Sequence, residues 1–130
     1  MKRVLIIDDQ ACFRGIVRDI LENWSEPLYI EEEENGIDAV INVECRDYDL
    51  LICDIKMPEM DGFEVVSKVR EWRWNPHVPI LMLTAERDPA SIARGAAIGA
   101  TGYLTKPFNE VEFLDAVRTM LCQTDQQQAS

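Results

Sequence analysis

Asp8, Asp9, Asp54, Thr84 and Lys106 each stand at the end of an apolar run in a chain of 130 residues. Arg3 to Ile7 runs into Asp8-Asp9, Asp49 to Cys53 into Asp54, Val78 to Leu83 into Thr84, and Thr101 to Thr105 into Lys106-Pro107. Brought together, the carboxylates would repel, since two unit charges at about 4 Å cost about 4 kcal/mol at an effective dielectric near 20. Such a cluster needs a cation, and oxygen-only ligands favour Mg2+ or a similar hard ion, which keeps waters and bridges carboxylates to phosphate. Lys106 adds a positive point charge and Thr84 a hydroxyl donor, so the set suits a phosphoryl group carried on a carboxylate oxygen. Singly, each residue has a plainer reading: an aspartate after a strand commonly caps the next helix, and Asp9 is a candidate cap for the first one. Short isolated matches have a high false-positive rate, so the argument rests on the four strand ends together.

What must position these groups is legible from periodicity. The runs ending in the polar residues are β-branched and apolar, as strands covered on both faces require. Between them, Phe13, Ile16, Val17, Ile20, Leu21 and Trp24 recur at helical spacing, with Pro27 closing that segment. Leu28 to Glu32 reads as a second strand, and Asn35-Gly36 opens a second helix carrying Ile37, Val40 and Ile41. A third helix carries Phe63, Val66, Val69 and Trp72, with Asp61 and Glu64 as a capping pair. Asp88-Pro89 reads as an N-cap and N1 proline for a fourth helix poor in large apolar side chains, and Asn109 with Glu112 opens a fifth. Five strand-helix units with short connections predict a doubly wound α/β fold with a five-stranded parallel sheet. In such sheets ligands bind beyond the carboxyl ends of the strands where strand order reverses; the flavodoxin-like order 2-1-3-4-5 would make the first and third strands neighbours.

The length suits one domain, and 47% hydrophobic with 28% charged residues excludes a disordered or collagenous chain. A formal charge of -11 argues against nucleic acid or membrane binding by this surface and favours cations and basic partners. Cys12, Cys45, Cys53 and Cys122 are scattered without a CxxC pair, and His77 is the sole histidine, which disfavours a zinc or disulfide framework. Without a membrane-length apolar run or a signal-peptide pattern, a cytoplasmic location is expected. The cysteines read as small packing residues, His77 as a loop residue, and Glu31 to Glu34 as a solvated acidic edge open to a basic partner.

The segments Leu5-Ile6-Ile7-Asp8-Asp9, Asp54 to Gly62, Leu83-Thr84-Ala85 and Gly99 to Phe108 resemble, in order and spacing, the receiver domain of two-component response regulators. The resemblance covers residues 3 to about 121. It implies that Asp54 is the phosphoacceptor, fed by a sensor histidine kinase or histidine phosphotransfer protein. It further implies magnesium held by Asp9 and Asp54 directly, by Asp8 largely through water, and by the backbone carbonyl of Lys56. Lys106 would pair with phosphoryl oxygens, Thr84 would bond the phosphoryl group in the active state, and Tyr103 would turn inward. The Lys106-Pro107 bond resembles the family's cis peptide. Lys56 and Glu86 occupy positions that tune hydrolysis in the family.

On this reading the chain is a regulatory phosphoacceptor that catalyses only its own phosphorylation and dephosphorylation. Its switching face comprises the fourth helix, fifth strand and fifth helix, for control of a downstream effector or covalently linked output domain, with dimerisation through the same face open. Alternatives are an aspartyl-nucleophile phosphohydrolase, which usually wants an acid where Lys56 stands, and a receiver-like scaffold that is never phosphorylated. Residues 1–122 are expected to form the receiver domain and 123–130 a flexible tail or the start of a linker. With no effector following Leu121, either a stand-alone regulator of the chemotaxis or relay type or a receiver fragment is expected.

Overall fold

In the structure, a computed structural model that describes residues 1–129 except 73, 74 and 86, with side chains as far as Cys122, the apolar runs form five strands. The elements alternate as β1 (Lys2–Ile7), α1 (Ala11–Glu22), β2 (Leu28–Glu33), α2 (Gly36–Cys45), β3 (Leu50–Cys53), α3 (Gly62–Glu71), β4 (Ile80–Thr84), α4 (Pro89–Ile98), β5 (Gly102–Thr105) and α5 (Glu110–Ala129). The strands pair in parallel in the order β2-β1-β3-β4-β5, the doubly wound order expected from sequence.

Alternation along the central strands divides the core in two. Leu5, Ile7, Leu51, Cys53, Ile80 and Met82 pack with α2 and α3 residues such as Val43, Val65 and Val69. Val4, Ile6, Leu50, Ile52, Leu81 and Leu83 face the other way, onto Val17 and Leu21 of α1 and Phe113 and Val117 of α5. Each fully buried aliphatic side chain here contributes roughly 1.5–3 kcal/mol relative to exposure. The sheet is thus clamped on both faces.

Four helix starts carry the caps expected of them. Asn35 accepts from the Asp38 amide, Asp61 from Glu64 and Asp88 from Ser91. Asn109 likewise accepts from Glu112. The first helix differs: its N-cap is Gln10, whose side chain makes no capping bond, so Asp9 is not a cap. Ile16, counted in that helix's apolar stripe, is 53% exposed because the stripe is wider than the surface it covers. The backbone of α5 continues past the end expected at Leu121, in keeping with the tolerance of glutamine for helix. Among the cysteines only Cys53 is buried; Cys12, Cys45 and Cys122 are exposed and do no core packing. Trp72 caps the end of α3, and Trp74 lies outside the described residues.

The acidic edge is a paired surface within the chain. Glu31 is bridged to Arg3 and Arg46, Glu32 to Arg14 and Arg18, and Glu33 accepts from Asn42. Burial alone would raise the Glu32 carboxyl, but hydrogen bonds and charge from Arg18 and Arg14 outweigh it and hold the group below its usual range. A lowered carboxyl contributes stability above its unfolded-state value and loses it as the pH falls through its folded value. Arg18→Gln is therefore expected to lose on the order of 1 kcal/mol at neutral pH, the partial exposure of the pair limiting the effect. Denaturant titrations should show that gap closing below the ordinary glutamate value, about pH 4.3; a gap equally wide at pH 3 and 7 would contradict the assignment.

Among the described residues, no helix is long and apolar enough to cross a membrane.

Candidate functional site

The register of β1 on β3 pairs Ile7 with Cys53, so the residues one step on, Asp8 and Asp54, stand side by side. Backbone bonds extend the ladder past the strand ends: the Asp8 amide donates to Glu33 O at 3.1 Å and the Asp54 amide to Ile7 O at 2.9 Å. On the far side β4 pairs Thr84 with Thr105, and the Lys106 amide donates to Thr84 O at 2.7 Å. Four chain segments thus deliver their polar residues to one end of the sheet.

Carboxylate oxygens of Asp8, Asp9 and Asp54 lie within 4.8 Å of one another. Asp8 and Asp54 are buried, at 2% and 8% exposure, whereas Asp9 opens to solvent. Asp8 accepts from the Gln10 amide at 2.9 Å through Oδ1, and Asp54 Oδ1 from the Ile55 amide at 2.8 Å. Their other oxygens face the Lys106 ammonium, at 3.1 Å from Asp8 and 3.6 Å from Asp54. Burial pushes the Asp54 carboxyl above its ordinary value; Lys106 is the main counterweight, while Asp8 and Asp9 add repulsion. Among the described residues the pocket therefore holds an excess of negative charge that a hard, oxygen-seeking divalent ion fits, and its three side-chain donors are carboxylate oxygens.

The remaining residues singled out from sequence are distributed as follows. Thr84 is buried at 1% exposure. Tyr103 is partly buried, packs against the α3-side core, and lies beside the Gly95 position on α4. Lys56 is exposed. The Lys106-Pro107 peptide is cis. Glu86 lies outside the described residues.

Several contacts escaped the sequence reading. Arg14 donates to the Asp8 carbonyl and to Glu32 Oε1, tying α1 and β2 to the strand end that carries the acids. Its only sequence signal was a basic residue six positions after Asp8. Arg87 donates to the Lys106 carbonyl at 2.8 Å. Arg70, at the end of α3, donates to the carbonyls of Gly99, Pro76 and Val78 and so fastens the C-terminal end of α4. Elsewhere α4 is lightly held: Gly95 is its one buried residue, and a cavity of about 570 Å³ between it and the β3–α3 loop is lined by Met57, Phe63, Ser91 and Arg94 among others.

Comparison with known proteins matches residues 4–118 to the response regulator receiver domain family. The chemotaxis protein CheY of Halobacterium salinarum is 37% identical over 120 residues, 92% of this chain and 97% of that protein. The transcriptional regulatory protein ResD of Bacillus subtilis is 36% identical over 124 residues, 95% of this chain but 50% of that protein. Among solved structures, the chemotaxis response regulator CheY4 of Vibrio cholerae is 36% identical, with a TM-score of 0.84 over 92% of this chain and 98% of that one. The signal receiver domain of a signal transduction histidine kinase from Syntrophus aciditrophicus is 28% identical, with a TM-score of 0.85 over 95% and 92% of the two chains. The chain thus spans nearly all of one curated relative and about half of another.

Proposed function

From the premise that the chain belongs to the response regulator receiver domain family, we propose that Asp54 accepts a phosphoryl group and that this modification switches the α4-β5-α5 face. The observation that carries the reading is the convergence of Asp8, Asp9 and Asp54 with Lys106 set against two of them. An Asp54 oxygen attacks phosphorus, the bond from phosphorus to the donor's imidazole nitrogen breaks, and its electron pair leaves with the imidazole. The product is an aspartyl phosphate. Lys106 neutralises charge on the phosphoryl oxygens, and its 3.6 Å approach to Asp54 puts the ammonium within a side-chain rotation of them. Asp8, Asp9, Asp54 and the Lys56 carbonyl would hold Mg2+, which supplies charge neutralisation and a template for phosphoryl oxygens when bound. The phosphohydrolase alternative is disfavoured by the exposed cation Lys56 where an acid is wanted.

Phosphorylation creates acceptors that Thr84 can meet only in the modified state. A hydrogen bond to a charged group contributes roughly 1.5–3 kcal/mol, which shifts a two-state equilibrium by about ten- to a hundredfold. Light packing of α4 supports that helix as the element displaced, with Arg70 holding its C-terminal end and Tyr103 beside it. Residues 1–122 would be the responding unit, and 123–130 a tail or the start of a linker. Partners of the switched face are a downstream effector, an output domain or a second copy, and the donor is a sensor histidine kinase or histidine phosphotransfer protein.

Incubation with acetyl phosphate and magnesium, followed by intact-mass analysis, tests the reading. The wild-type chain is expected to gain the mass of one phosphoryl group, Asp54→Asn to gain none, and excess EDTA to suppress the gain. An equal gain in Asp54→Asn would overturn it.

A further inference from the structure

The Lys106 ammonium is in contact on a third side. Besides its approach to Asp8 and Asp54, Nζ lies 3.7 Å from the centroid of the Phe13 ring on α1. A cation so close to an aromatic face is attracted by the negative potential of the ring, most strongly where water is partly excluded, as it is around this lysine at 17% side-chain exposure. Phe13 is itself held in place. The ring of Phe108 meets it nearly perpendicular at 5.9 Å, an edge-to-face arrangement. Phe108 in turn lies 5.4 Å from Phe113, which is fully buried on α5.

We propose that Phe13 is a positioning residue for Lys106: its π face holds the ammonium against the carboxylates, and the Phe108–Phe113 pair holds the ring. Its effect on phosphoryl transfer rests on the phosphoacceptor reading; the contact does not. A lysine stem has much rotamer freedom to lose and its ammonium is strongly hydrated, so the carboxylates alone compete with extension into water. The ring blocks that retreat and offers a face that accepts no proton. Incoming phosphoryl oxygens then meet an ammonium already confined at the pocket wall, which lowers the ordering cost of the reactive arrangement. A leucine at position 13 would still exclude water but would present no negative face.

The test uses the whole chain with Phe13 replaced by phenylalanines carrying one, two or three ring fluorines, which keep the shape and drain the face, and separately by leucine and tyrosine. Two quantities are read: the NMR shifts of the Lys106 ε-methylene group, moved upfield by the ring in the wild type, and the rate of mass gain with acetyl phosphate and magnesium. The rate is expected to fall stepwise with fluorine number and to reach about tenfold below wild type in Phe13→Leu. Phe13→Tyr should recover most of it, and in Phe13→Leu the Lys106 shifts should move to the ordinary lysine position. A flat rate across the fluorine series, or Lys106 shifts identical in wild type and Phe13→Leu, overturns the proposal. If the wild type gains no mass, the phosphoacceptor reading fails on its own, and the shift comparison still decides whether the ring holds the ammonium.

Discussion

Lys106→Met is expected to slow phosphorylation of Asp54 by acetyl phosphate about a hundredfold, the usual scale for removing one preorganised charge donor from a reacting oxygen. Methionine keeps an unbranched stem of similar volume that packs well on an aromatic ring, so the change isolates the charge from the packing. In the wild type the ammonium stands 3.1 Å from Asp8 and 3.6 Å from Asp54 and is the principal force holding down the Asp54 carboxyl, which burial already raises. Without it the acids lose that counter-charge, which removes the main influence lowering the Asp54 carboxyl. Negative charge on the phosphoryl oxygens then meets no cation from the protein. Initial rates of mass gain at saturating magnesium measure the effect, and a rate within about threefold of wild type would remove Lys106 from the transfer step.

Gly62→Ala is expected to destabilise the fold by about 3 kcal/mol or more, lowering the melting temperature by about 10 °C. A Cβ on Gly62 would stand 2.3 Å from the Asp54 carbonyl oxygen and 2.8 Å from Ile55 Cα, both backbone atoms with nowhere to go. The Gly62 amide donates to Ile55 O at 2.7 Å, so α3 begins pressed against the segment that carries Asp54. Relief of the clash must move that segment, and phosphorylation should fall together with stability. Gly102→Ala is the control: its Cβ would meet the terminal methyl of Met120 at 2.4 Å, the far end of a flexible side chain. Its expected cost is below about 1 kcal/mol. Thermal denaturation of the two variants side by side decides the matter; equal losses would refute the backbone explanation.

The acids, Thr84 and Lys106 were legible in sequence because each interrupts an apolar run at its carboxyl end, and a parallel sheet collects such ends on one side. The helix starts were legible for a local reason, since Asn35, Asp61, Asp88 and Asn109 each bond an amide three residues on. Contacts between distant segments were not. Glu31 to Glu34 read as a solvated edge open to a basic partner, yet Glu31 and Glu32 meet arginines from α1, β1 and the segment after α2, whose approach depends on strand register. Phe13 fitted a core stripe, and its ring turned out to face an ammonium 93 positions along the chain. Asp9 was read as a candidate cap, and that reading fails because the N-cap position falls one residue later, on Gln10, with α1 starting at Ala11. Arg70 gave no sequence signal at all, since its partners are backbone carbonyls.

The chemical identity of the modified group is the most direct test. Borohydride reduces an aspartyl phosphate to homoserine and leaves free carboxylates and phosphate esters unchanged. After treatment with acetyl phosphate and magnesium, reduction and peptide mapping are expected to find homoserine at position 54. Homoserine at position 8, 9 or 61 instead, or a phosphoryl group that resists reduction on a serine or threonine, would contradict the account.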